Sequence, residues 1–227
     1  MKNYLKIIIC ITVFLFAGSI ADTLFANDVA TGVLSFAFAL PPGFINLKHP
    51  CGSDNMGGYK NRLLFIPACS VSAVPELPPI TELSETEDLV TAAGAFVFKV
   101  EGDKPIVIYA TDKTVQLNSE NQGETDSQSF RQNGEFFHPG PKVEAAAFAR
   151  VVNNTPGYLV LEDTSGTQYL VGSKGLPCTI KPGYTGGAAR TDRRGFSYVF
   201  EADSVCPFIV LGTPIDIDEL ENPTVIP

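Results

Sequence analysis

Prolines and glycines interrupt this chain so often that long regular helices are excluded from most of it. Seventeen Pro and twenty Gly are spread over 227 residues. A proline inside a helix removes a backbone hydrogen bond and clashes with the preceding turn. What survives between the breaks is a series of short apolar runs, several of them alternating. Phe196, Tyr198 and Phe200 alternate with Ser197, Val199 and Glu201. Phe130, Gln132, Gly134 and Phe136 stand against Arg131, Asn133, Glu135 and Phe137 in a less perfect version of the same pattern. A period of two places each set on one face of a strand. Sixteen Phe and seven Tyr, with no Trp, add aromatic rings that pack well on pleated surfaces. The expected fold class is mostly β, a sandwich or barrel.

Strands are expected at 62–66, stopped by Pro67, and at 95–101, 106–110 and 114–118. Others are expected at 130–137, 158–162, 167–172, 176–180, 195–202 and 208–211. The polar stretch 119–129 reads as a bridge, making a long hairpin over about 114–137. Asp163-Thr164-Ser165-Gly166 closes a tight hairpin. Residues 75–89, rich in Pro and Glu, read as a surface loop, and 182–188 as a Gly-rich loop. One short flanking α-helix is expected at about 141–152. Pro141 suits its first turn. Val143, Ala147 and Val151 fall on one stripe with Ala146 beside them, leaving Lys142, Glu144 and Arg150 in water.

The N-terminus has the layout of a secretory signal peptide. Lys2 and Lys6 precede an apolar run from Ile7 to Phe16, and small residues follow at Ala17, Gly18, Ser19 and Ala21. The run is short for a bilayer span, so stable membrane anchoring is not expected. The same residues also fit a start codon placed too far upstream. The organisation read from the sequence is a leader-like segment at 1–26, a linker at 27–47, one β domain at 48–213 and a loose acidic tail at 214–227. Cys51, Cys69, Cys178 and Cys206 lie beyond the leader. An oxidising compartment favours pairing among them, and a cytosolic one leaves ordinary buried thiols.

The acid–base balance narrows the functions. With 16 Lys plus Arg against 25 Asp plus Glu, the formal net charge is -9, poorly suited to gripping phosphates. His49 and His138 lack metal-ligand spacing, and a satisfied structural role is expected for them. No Gly-x-Ser-x-Gly elbow or His-Glu-x-x-His motif is present. Gly183-Tyr184-Thr185-Gly186-Gly187 lacks the Gly-Lys-Ser/Thr of a phosphate cradle, and Ser53-Asp54-Asn55 lacks the spaced acids of a calcium loop. The expectation is a non-enzymatic chain with no cofactor and no metal.

From about residue 50 to residue 213 the sequence resembles the major tail (tail tube) proteins of tailed bacteriophages. The residues that carry the resemblance begin with Cys51-Gly52-Ser53-Asp54-Asn55-Met56-Gly57-Gly58 and Leu63-Leu64-Phe65-Ile66-Pro67. They continue with Gln122-Gly123-Glu124, Ser129-Phe130 and Glu135-Phe136-Phe137-His138-Pro139-Gly140. Gly172-Ser173, Leu176-Pro177 and Thr191-Asp192-Arg193-Arg194-Gly195 complete the set. The resemblance implies a sandwich or barrel with one flanking helix, assembling as six-membered rings that stack into a hollow tube. It also implies other tail proteins as partners, a lumen through which DNA passes without specific binding, and no catalytic role. The hairpin is then the element that reaches neighbouring subunits by edge pairing.

The candidate assembly residues are Phe130, Phe136 and Phe137 by the hairpin, and Arg193 and Arg194 in the basic cluster around Asp192. Each phenylalanine also fits a plain core position. The arginines also fit a solvated turn paired partly with Asp192. The expected location is a virion assembled in the bacterial cytoplasm. The leader-like start points instead to an exported, periplasmic or extracellular β-sandwich binding or surface protein.

Overall fold

Leu63, Leu64, Phe65 and Ile66 are all buried, and so are Tyr158, Leu159, Val160 and Leu161. A strand buried at every residue must be covered on both faces, and that requirement organises the molecule. In the computed structural model the described residues are 45–49, 51–52, 56–80 and 85–221. The chain divides into two compact units, 1–46 and 47–227. All the strands and helices described below belong to the second. The leader at 1–26, nearly all of the linker, the segment Ser53 to Asn55 and the end of the tail lie outside the described residues.

The strands are β1 Tyr59–Pro67, β2 Val71–Ala73, β3 Thr91–Ala92, β4 Val97–Phe98, β5 Ile106–Tyr109, β6 Gln116–Gln122 and β7 Ser129–Pro139. They continue with β8 Gly157–Asp163, β9 Gln168–Val171, β10 Thr179–Thr185, β11 Gly195–Ser204 and β12 Ile209–Leu211. The helices are α1 Val143–Val152 and α2 Ile217–Glu221. A six-stranded sheet has the order β3-β12-β9-β8-β1-β5, a four-stranded sheet β10-β11-β7-β6, and β2 pairs with β4 alone. The architecture is mostly β, as expected.

Two hydrophobic cores lie on opposite faces of the six-stranded sheet. The first joins Leu63, Phe65, Leu159 and Leu161 to Phe136, Tyr198 and Phe200 of the four-stranded sheet and to Ala145, Ala149 and Val152 of α1. The second joins Leu64, Ile66, Tyr158 and Val160 to Leu170, Ile209, Leu211 and Ile217. Odd-numbered residues of β1 thus feed one core and even-numbered residues the other, as the pleat requires.

Several boundaries depart from the sequence expectations. The strand expected at 95–101 shrinks to Val97–Phe98. Half of the polar stretch 119–129 is strand, since β6 runs to Gln122 and pairs with β7 through Gln122↔Ser129. The turn between them is only residues 123–128. Residues 182–185, read as loop, belong to β10. Pro182 is tolerated because β10 is an edge strand, where a missing N–H breaks no ladder.

The acidic tail is not loose where it is described. Asp216 Oδ1 accepts hydrogen bonds from the Asp218 and Glu219 amides at 2.9 and 3.1 Å. Ile217 is buried in the second core, and Asp218 pairs with Arg62 at 2.5 Å. Ile215 and Leu220 pack against the same core, so three apolar residues among the acids anchor the turn.

The helix forms where expected but turns a different side inward. Val143 and Val151 are 81% and 65% exposed, while Ala145, Ala149 and Val152 are buried. Phe148 packs edge-on to Phe65 and Tyr198, with ring centroids 6.1 and 5.9 Å apart. Positions 145, 148, 149 and 152 follow the i, i+3, i+4, i+7 spacing of a buried stripe. The inward stripe seats Phe148 together with Ala145, Ala149 and Val152, so the aromatic ring meets the first core along with three further apolar side chains.

Candidate assembly interface

The four-stranded sheet has one face in the first core and the other in solvent. Phe136, Phe196, Tyr198 and Phe200 point inward. The other face carries Lys181 paired with Glu201 at 2.5 Å and Arg131 paired with Asp203 at 3.5 Å. Exposed pairs of this kind contribute little to stability.

The outer edge of this sheet is open. Among the described residues β6 pairs only with β7, and Gln116 and Asn118 to Asn121 are exposed. Only Leu117 leans on the first core. Close approach to β7 depends on Gly134, where a Cβ would collide with the Gln116 carbonyl oxygen and the Phe200 ring. Main-chain donors and acceptors along an edge like this are a ready template for another chain.

The sequence-selected residues separate into two groups. Phe136 is a core residue, stacked on Tyr198 with centroids 4.9 Å apart and planes at 15°. Phe130 is half-buried near the far end of β7, opposite Asn121 and Ser204. Phe137 projects to the other side of the strand from Phe136, yet it is only 3% exposed. The Arg193 guanidinium lies 3.7 Å above its ring centroid, a cation–π contact that also shields the ring. Phe137 and Arg193 are therefore brought together.

Arg194 Nε donates to the Tyr184 hydroxyl at 3.4 Å, and its carbonyl accepts from the Gly140 amide at 3.1 Å. Asp192 does not pair with its arginine neighbours as the sequence suggested. Its carboxylate accepts from the Ala188 and Ala189 amides at 2.8 and 2.7 Å. Those bonds, that from Ala189 foremost, hold its pKa below the usual carboxylate value. Among the described residues Arg190, Arg193, Arg194 and Lys113 have no ion-pair partner.

A polar hollow of about 150 Å³ lies beside them, lined by Lys113, Thr114, Gln116, Glu135, Arg193 and Ser197. Gln116 Nε2 already donates to Glu135 Oε1 at 2.9 Å. Lys113 and Tyr184 escaped the sequence reading, because no local pattern reveals which strand ends meet in space. The positive φ of 60° at Lys113 marks it as a sharp turn position.

A second hollow of about 240 Å³ runs between β5 and α1, lined by Ile106, Tyr109, His138, Glu144 and Phe148 among others. The Tyr109 carbonyl lies 2.8 Å from His138 Nδ1, and since a carbonyl only accepts, Nδ1 carries the proton. His138 is thus satisfied structurally. Cys51 and Cys69 are exposed, Cys178 and Cys206 are buried, and all four are free thiols. Burial pushes the Cys178 thiol up to about 12. Among the described residues no three His, Cys, Asp or Glu side chains gather to hold a metal ion. Comparison with protein-family models, with curated proteins and with solved structures finds no match.

Proposed function

We propose that this chain is a structural subunit of a phage or prophage tail tube, self-associating into stacked rings that form a conduit for DNA. In this reading it has no catalytic role. The observation that carries the reading is the long β6–β7 hairpin, whose outer strand is solvated on nearly every residue and, among the described residues, unpaired along its free edge. A strand that buries so little of itself gains most by pairing with another chain, each backbone hydrogen bond contributing about 1 kcal/mol net. The resemblance over residues 50–213 supplies the kind of assembly. The net charge of -9 suits a lumen that must let DNA slide.

The second reading, an exported β-sandwich binding protein, draws on the leader-like start. The test is the purified full chain over a range of concentrations, by negative-stain microscopy and size-exclusion chromatography. Rings or tubes are expected. A folded chain that stays monomeric at the highest concentration overturns the proposal.

A further inference from the structure

The two ends of the exposed hairpin sheet carry opposite charge. At one end the turn between β6 and β7 presents Glu124 and Asp126, with Glu120 just before it on β6. Among the described residues none of these three has an ion-pair partner. At the other end the loop between β10 and β11 presents Arg190, Arg193 and Arg194, with Lys113 across the polar hollow. β7 joins the two ends through 11 residues, which at about 3.4 Å per residue separates them by roughly 34 Å. The tip and the loop of one chain are too far apart to neutralise each other.

We infer that the arginine loop of one copy receives the acidic hairpin tip of a second copy, in a head-to-tail contact. This deepens the self-association reading above and rests on it. The receiving side is prepared for a carboxylate. Asp192, the one acid inside the loop, is occupied by the Ala188 and Ala189 amides, and Glu135 by Gln116. Arg193 is braced on Phe137 and Arg194 on Tyr184, so less side-chain freedom is lost when a carboxylate arrives. Planar guanidinium groups match carboxylates in fork geometry. A contact that joins two different patches propagates from copy to copy, closing as a ring or continuing as a filament.

The experiment uses two full-length variants, R193E/R194E and E124K/D126K, followed by analytical ultracentrifugation and circular dichroism. Each variant alone is expected to associate roughly tenfold or more weakly than the parent chain, because like charges then face each other across the contact. Mixed in equal amounts they are expected to assemble, since every contact in an alternating chain again joins opposite charges. The tip variant touches no core, so it keeps the test valid should the arginine variant fold poorly. Unchanged assembly of either single variant overturns the inference while leaving self-association itself intact. Failure of the mixture to assemble, or a mixture that stops at two copies, also overturns the head-to-tail contact. A parent chain that is monomeric defeats the underlying reading.

Discussion

The two main sheets of this protein are built on opposite terms. In the six-stranded sheet, β1 and β8 are apolar on both faces and bury residue after residue. In the four-stranded sheet, β7 and β11 bury one face and leave the other charged, while β6 buries almost nothing. The first sheet holds the fold together through two cores. The second sheet contributes one core face and keeps a free edge, a solvated face and two charged ends. If the chain self-associates as proposed, stability and association fall on different parts of it, so damage to one is expected to leave the other largely measurable.

The largest expected effect probes the buried sheet. Leu161→Ala removes a fully buried side chain from the first core, and a loss of about 2–5 kcal/mol is expected in urea unfolding. A loss below about 1 kcal/mol would mean that this sheet is not the stabilising one. Asn118→Lys on the open edge sharpens the contrast from the other side. Lysines on edges discourage pairing, so assembly measured by light scattering should fall severalfold. The unfolding midpoint should move by no more than about 0.5 kcal/mol equivalent. A strong loss of stability with intact assembly would reverse the assignment of β6.

Phe137→Leu tests the join between the two roles. It removes the ring under Arg193, and a cation–π contact of this kind contributes about 0.5–2 kcal/mol. A modest drop in stability is expected together with weaker assembly, whereas unchanged assembly would separate Arg193 from the interface. The smallest effect concerns pH. The Ala189 and Ala188 amides hold the folded pKa of Asp192 below the ordinary carboxylate value. Its contribution is therefore complete above that value and fades as pH falls through the lower, folded one. Protease cleavage in 186–194 should rise only in strong acid; a rise between pH 5 and 7 would assign the loop's order to another group.

The alternating residues of β7 and β11 were legible because one face of each meets a core, and a period of two records that directly. The polar half of β6 was not, since its strand character comes from pairing with β7 rather than from its own side chains. Residues 182–185 read as loop from their proline and glycine, yet an edge strand tolerates both and they belong to β10. In α1 the sequence points to the Val143–Val151 stripe by residue type, whereas Phe148, Ala145, Ala149 and Val152 face the core. At the candidate interface the sequence pointed to Phe137 and Arg193 separately. Their contact depends on a loop folding back over a strand 56 positions earlier. Asp192 reads from the sequence as a partner of its charged neighbours, whereas the Ala188 and Ala189 amides hold its carboxylate.

The order of the six-stranded sheet has a consequence for synthesis. β12, among the last strands to leave the ribosome, sits between β3 and β9, and Ile217 follows it into the second core. A nascent chain that has displayed its hairpin for tens of residues still lacks the wedge that completes its largest sheet. Chains terminated before residue 209 are left with a gap in that sheet and an uncovered apolar face, a form suited to chaperones and proteases rather than to a growing polymer.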